Sequence, residues 1–397
     1  MAAAGPVAAA PLPPTYVAGF HDEASVRAMP YRAMPDGRLL SALSFGASSL
    51  AGVFRSDVDE AEAVAVVGAV VRAGVNLLDT APWYGYGQSE RILGRCLRAA
   101  GVPRSAYYLS TKVGRYRPEI LEQFDFTYAR TLQSVDESLA RLQVEYIDTV
   151  QVHDPEFAPS LDIILSETLP ALEAARAAGK IRRIGITGYP LSALRYLAEH
   201  CPPGVTIDSA LSYCHYNLHD TTLTQRGGDG GASTLAFLAA RGIGVVCGSP
   251  LSMGLLTPRG PPAWHPASPG LKARCAAAAA YAAERGADIA HLALHFALFS
   301  QEEVVTIMVS SASLPRVRHD LDVATGKAPL APAHAALIDD IRARFFPPGE
   351  AGNSWEGREV DEYWVKVGKL ERNNWYRAHA TFPDKLPATE TTHSHKA

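Results

Sequence analysis

The sequence predicts an α/β protein folded as one (β/α)8 barrel. Three observations lead there. Short β-type runs alternate with amphipathic helical runs from about Leu39 to Phe346. Eight β-type runs can be read, whereas doubly wound sheets usually stop at about five or six strands, so closure into a barrel is favoured. The 397 residues could hold two or three domains, but a single barrel can run to about 250 residues or more.

The strands are expected at Leu40–Phe45, Val75–Asp79, Tyr107–Lys112, Tyr146–Val152, Ile181–Ile186, Thr206–Leu211, Ile243–Cys247 and Val304–Val309. Several follow helix-terminating residues: Gly74, Gly179 and Gly242 each stand just before one. Between them Leu132, Val135, Leu139 and Leu142 recur at helical spacing and make one apolar stripe. Asp57 precedes Val58–Val71 as a cap. Pro190 opens the helix to His200 in its first turn, where a missing N–H costs nothing. This gives three parts: a flexible, Ala- and Pro-rich arm over 1–38, the barrel over 39–346, and a polar extension over 347–397. Trp355, Trp364 and Trp375 lie in that extension among charged residues, with no core pattern.

Composition excludes several classes of function. Lys+Arg is 37 and Asp+Glu is 41, a net of −4, without the basic excess of a nucleic-acid or anionic-membrane binder. The apolar run Val64–Val71 is far shorter than the roughly 20 residues needed to cross a bilayer. The arm lacks the apolar stretch of a signal peptide. A cytoplasmic address is expected, with the plastid as the alternative. Five scattered cysteines form no C-x-x-C pair and read as buried thiols, not as a disulfide framework or a metal site.

Barrel enzymes carry their chemistry at the C-terminal ends of strands. The second strand ends in Asp79 and its loop carries Tyr84. The third ends in Lys112, the fourth in His153 and Asp154. Charged residues ending consecutive buried strands are costly unless paired. A tyrosine is a poor base at neutral pH, but a nearby ammonium favours its phenolate. An aspartate would hold that lysine charged, and a histidine would orient the reacting oxygen. The set makes Tyr84 a general acid/base at a carbonyl or alcohol carbon. The matching hydride needs a partner, which implies a nicotinamide cofactor.

DTAPWY, then STK, then VHD resembles the Asp/Tyr/Lys/His tetrad of the aldo-keto reductases, in their order and on their strands. SERILG (Ser89–Gly94), GKIRRIGITG (Gly179–Gly188) and SPLSMGLL (Ser249–Leu256) resemble further family segments. SYCHYN (Ser212–Asn217), PPAWHPASPGLK (Pro261–Lys272) and GRY…FDF (Gly114–Tyr116, Phe124–Phe126) resemble the plant L-galactose dehydrogenases within that family. The resemblance implies NAD-dependent oxidation of L-galactose at C1 to the 1,4-lactone, in ascorbate biosynthesis. Tyr84 would take the hydroxyl proton, Lys112 and Asp79 would tune it, and His153 would hold the sugar. Trp83 and Trp264 fall in loops on the active-site face, where their position suits either stacking on the sugar or simple loop packing. The implied state is a monomer or weak homodimer with a small sugar as its partner, and no metal.

The resemblance also implies cofactor contacts at Thr187, Tyr213, Ser249, Leu251, Gly254, Ser310, Ser313, Arg316 and Asp320. Where the family's NADPH enzymes carry a Lys this chain has Ser310, while Arg316 is kept. One cation in place of two favours NAD over NADP, which is the alternative. Asp320 stands where Asn is usual, a carboxylate that would repel a phosphate and accept from the adenine amino group. The Ser-Asn pair that grips the carboxamide is Thr187–Gly188, so half of that contact is missing. The aromatic that stacks on nicotinamide is replaced by Gly248, with Tyr213 as the substitute.

Other features read as structure. Gly85-Tyr86-Gly87 imitates a dinucleotide fingerprint but lacks its third Gly, so it reads as a turn aiming Tyr84 inward. Gly227–Gly231 reads as a flexible loop. His215 and His219 lack a close set of further ligands and take a substrate-side or surface role. His291 and His295 are packing or surface residues. The competing functions are an NADPH-dependent carbonyl or aldose reductase, another aldose 1-dehydrogenase (L-fucose or D-arabinose), and a non-catalytic regulatory subunit.

Overall fold

The structure is a computed structural model that describes residues 11–52, 58–226, 230–349 and 352–368. Asp57, the core of the Gly227–Gly231 loop and Trp375 lie outside the described residues. Ten strands are seen: β1 (Tyr31–Ala33), β2 (Leu39–Ser41), β3 (Leu43–Gly46), β4 (Leu77–Asp79), β5 (Tyr108–Val113), β6 (Ile147–His153), β7 (Ile181–Gly188), β8 (Ser209–Tyr213), β9 (Gly244–Gly248) and β10 (Thr306–Val309). β3 to β10 run parallel in sequence order and close into a barrel, β10 pairing with β3. The predicted (β/α)8 class is therefore the observed one.

Two strands differ from expectation. The predicted first strand is two. Residues 39–41 pair antiparallel with β1, and the chain joins the barrel only at Leu43. The sixth barrel strand runs Ser209–Tyr213 and not Thr206–Leu211, which carries Tyr213 to the barrel mouth. The helix read from Val58 begins at Glu60, with Asp59 as the residue whose carboxylate accepts from Glu62 N at its N-terminus. Pro190 is the N-cap of the helix Leu191–Glu199.

Residues 11–38, read as a flexible arm, are packed structure where described. Glu23–Ala28 is a helix capped by Asp22. The β1–β2 hairpin closes the N-terminal end of the barrel, and its Met34 lies against Gly244. Arg32 donates to the carbonyls of Val304 (2.7 Å) and Leu298. The lower barrel interior is apolar: Met34, Leu40, Leu77, Leu211, Val246, Val305 and Met308 pack together. Above them the lining turns polar with Asp79, Ser110, Lys112 and Gln151, all buried.

The extension also has a core that the sequence hides. Trp355 is 1% exposed. It stacks on Tyr189 at 5.3 Å and meets His265 edge-on at 4.7 Å. A helix follows at Arg358–Val367, and its Val360 and Trp364 pack with Phe157. The apolar residues are spaced too widely to show a period. They dock individually into sockets made by the barrel's loops. Among the described residues no helix is long and apolar enough to cross a membrane.

Candidate active site

Asp79 ends β4, Lys112 lies on β5 and His153 ends β6. Adjacent parallel strands bring them side by side at the barrel's C-terminal end. The turn between β4 and the helix Gln88–Ala99 sets Tyr84. Gly85, Tyr86 and Gly87 all take left-handed φ (60°, 54°, 88°), a run that glycine makes affordable in two of three positions. Ser89 fastens the turn: its hydroxyl accepts from Thr80 (2.8 Å) and donates to Ala47 O (2.9 Å). Gly94 is where this helix touches Leu142, whose carbonyl oxygen would lie 2.5 Å from an added Cβ. The SERILG segment is thus explained by packing and support of the turn.

The Lys112 ammonium is paired with Asp79 and donates to Thr80 O at 2.9 Å. Both side chains are 2% exposed. Gln151 Nε2 donates to Asp79 Oδ2 (2.9 Å) and to Ser110 Oγ (2.8 Å), completing the carboxylate's partners. Lys112 Nζ stands 4.9 Å from the Tyr84 ring centre, and the Tyr84 and His153 rings meet edge-on at 5.9 Å. The four residues singled out from sequence are therefore one cluster.

Their electrostatics differ from the expectation in one respect. Burial pushes the Tyr84 phenol above its usual value; Lys112 opposes this, by charge and by hydrogen bond, but does not overcome it. The resting group is a phenol. Burial acts to discharge Lys112, yet Asp79 and Tyr84 outweigh it and the ammonium is held charged. Burial likewise raises the Asp79 carboxyl, with Lys112 pulling it down. His153 is pushed down to about 3, chiefly by burial, so the imidazole is neutral. Beside it Arg115 pairs with Asp154 at 2.7 Å and lays its guanidinium over the Trp83 ring at 4.0 Å. Trp83 thus joins the mouth of the site. Trp264 is 56% exposed on a loop.

The residues expected to hold a cofactor ring the same end of the barrel. Thr187 is in register with His153. Tyr213 is in register with Gly248 and hydrogen-bonds Ser249. A Cβ on Gly248 would come within 3.2 Å of the Tyr213 ring, so that ring fills the space of the missing side chain. Ser249, Ser252, Met253 and Gly254 take left-handed φ, with Leu251 between them. Ser313 stands at the N-cap position of the helix Leu314–Ala324, without a side-chain capping bond, and that helix carries Arg316 and Asp320. The Ser310 hydroxyl is engaged by Ser48 Oγ, Ser49 N and Ser49 Oγ (3.0, 3.0 and 2.6 Å). Burial pushes the Asp320 carboxyl up to about 7 against the pull of Arg316, which makes it a weaker charge than a surface carboxylate. Two buried polar atoms at the strand ends, Ser212 Oγ and His153 Nδ1, have no hydrogen-bond partner. The N–H groups of Ser252, Met253 and Gly254 bond within the Ser249–Gly254 turn; the aromatic wall of Tyr213 and the orphaned polar atoms beside it fit a dinucleotide.

The sequence placed His215 and His219 at the substrate side or surface, and the structure corrects this. Both are buried and hold the extension. His215 meets Asp220 (3.3 Å) and Glu356 (3.1 Å), which keep it charged by pushing it up to about 10 against burial. His219 Nδ1 donates to Asn353 O (2.7 Å), leaving Nε2 to accept from Ser252 Oγ (2.6 Å). His291 and His295 are half-buried, within the range expected. Among the described residues no group of three or more His, Cys, Asp or Glu is arranged to hold a metal ion. Sequence reasoning missed Gln151 and Arg115. Both gain meaning only from partners 72 and 39 residues away.

Comparison with known proteins agrees with this geometry. Residues 42–343 match the model of the aldo/keto reductase family. The chain is 46% identical over 289 residues to an L-galactose dehydrogenase of Arabidopsis thaliana, covering 73% of this chain and 86% of the relative. It is 33% identical over 258 residues to a D-arabinose 1-dehydrogenase of Saccharomyces cerevisiae, covering 63% and 72%. Among solved structures it resembles a holo aldo-keto reductase of Bacillus halodurans, with TM-score 0.60, 26% identity, 79% of this chain and 96% of that one.

Proposed function

The chain belongs to the aldo/keto reductase family, and on that premise we propose that it is an NAD-dependent aldose 1-dehydrogenase whose substrate is L-galactose. C1 would be oxidised to the lactone, as the resemblance to the ascorbate-pathway enzymes implies. The observation that carries this reading is the 46% identity to the Arabidopsis L-galactose dehydrogenase across 86% of that protein, in a chain whose Asp79, Tyr84, Lys112 and His153 cluster at the barrel mouth.

The chemistry divides as follows. A nicotinamide supplies the acceptor for the hydride leaving C1. Tyr84 acts as its phenolate, whose negative charge lies beside the Lys112 ammonium; it takes the C1 hydroxyl proton as the hydride leaves C1 and becomes the neutral phenol. Asp79, held by Gln151 and Lys112, keeps that ammonium charged and aimed. Neutral His153 offers a ring nitrogen to the sugar without adding charge, which suits an uncharged substrate. As the resemblance implies, the turn at Ser249–Gly254 with Leu251 would hold the pyrophosphate, and Ser313 and Arg316 the adenosine half. Tyr213 would stack on the nicotinamide in place of a residue at Gly248. Thr187 would bond its carboxamide. Ser310 has no charge and its hydroxyl is already engaged, which supports NAD over NADP. Trp83, with the Arg115 guanidinium over its ring, is the stronger sugar-stacking candidate of the two.

The test is reduction of NAD⁺ and NADP⁺ with a panel of L-galactose, L-fucose, D-arabinose and D-galactose. The proposal expects kcat/KM at least tenfold higher for L-galactose than for D-galactose and for NAD⁺ than for NADP⁺. Equal rates across the sugars would remove the substrate assignment, and a preference for NADP⁺ would remove the cofactor assignment.

A further inference from the structure

Gly188 ends β7 at the barrel mouth, one residue after Thr187 and in register with Ser212. It is the position at which the resemblance implies a carboxamide-gripping side chain. The space is taken. A Cβ added to Gly188 would lie 2.6 Å from Glu156 Oε2 and 3.3 Å from Pro155 Cδ. Glu156 reaches this place from the short helical turn after β6, the strand that carries His153. Its side chain is buried, at 4% exposure. Oε1 accepts from Tyr189 N at 3.0 Å. Oε2 is buried and has no partner.

A buried oxygen without a partner costs about 1–3 kcal/mol. Such an atom beside a cofactor site is a group awaiting a ligand. We propose that Glu156 replaces the side chain absent at Gly188 and binds the carboxamide of the nicotinamide. The inference rests on the nicotinamide reading above. Burial, reinforced by the charge of Asp154, raises the Glu156 carboxyl well above its ordinary value and so favours its protonated form. With Oε1 accepting from the backbone, the proton sits on Oε2 and can be donated to a carboxamide oxygen. In its protonated form this side chain offers one donor and one acceptor, as an amide does. The arrangement parallels Tyr213 at Gly248: in both, a side chain from the neighbouring strand or its loop fills the space of a glycine.

The test measures binding of NADH and of ADP-ribose, which lacks the nicotinamide, by protein fluorescence on the full chain. Glu156→Ala should weaken NADH about tenfold, which is about 1.4 kcal/mol, and leave ADP-ribose within twofold. Glu156→Gln, which keeps a neutral donor, should stay within threefold of the parent for both. Glu156→Ala combined with Gly188→Asn should recover NADH affinity to within threefold. Equal loss of both ligands in Glu156→Ala, or no loss of NADH, would overturn the proposal. A parent chain that binds ADP-ribose but gains nothing from the nicotinamide would also overturn it. A parent that binds neither ligand would refute the functional reading itself.

Discussion

Replacing Lys112 by Met should separate the fold from the chemistry. Asp79 and Lys112 are each 2% exposed, and they are partners. Removing one member of a buried pair leaves an uncompensated charge and costs about 3–5 kcal/mol. Gln151 still donates to Asp79, which favours the lower end. With an unfolding entropy of about 2.1 cal/mol/K per residue, the 397-residue chain loses about 0.8 kcal/mol per degree, so Tm should fall by about 4–6 °C. Replacing both residues together, Asp79→Leu with Lys112→Met, removes the stranded charge and should return Tm to within about 2 °C of the parent. Activity should not return. Without the ammonium Tyr84 loses its charge partner, and kcat should fall by about 10²–10⁴ in both variants. Calorimetry and steady-state NADH formation on the three proteins make the comparison. A double variant that regains turnover, or a single variant that keeps it within tenfold, would refute the reasoning.

Two further predictions follow from the titrating groups and from the extension. Oxidation requires the Tyr84 phenolate, and its phenol is raised by burial, so log kcat/KM for the sugar should climb with pH through and above neutrality. His153, at about 3, should add no limb between pH 5 and 8; an inflection near 6.5 that Tyr84 does not explain would contradict this. Trp355→Ala should cost about 3–5 kcal/mol by chemical denaturation, because a fully buried indole leaves a cavity; a loss under 1 kcal/mol would show that the extension is not part of the folded core.

The barrel and its tetrad could be read from sequence because each rests on local signals. Alternating apolar runs gave the strands, and Asp79, Lys112 and His153 stand at or near the ends of three of them. The departures arise where long-range contacts decide. Residues 39–41 are apolar enough for the barrel, yet a partner at Tyr31–Ala33 draws them into a hairpin. Trp355 is surrounded by polar residues in sequence, but it docks on Tyr189, 166 residues away from it. His215 and His219 read as substrate-side or surface residues because their partners, Glu356 and Asn353, come from the far end of the chain. Nothing in the sequence marks Glu156. Only the structure shows it beside Gly188.

The most direct test of the account is Tyr84→Phe, which removes one oxygen from the proposed proton acceptor. NADH affinity, read by protein fluorescence, should stay within threefold of the parent. Turnover of L-galactose with NAD⁺ should fall by at least about 10²-fold. Unchanged turnover with cofactor binding intact would contradict the assignment of Tyr84 as the acid/base of this barrel.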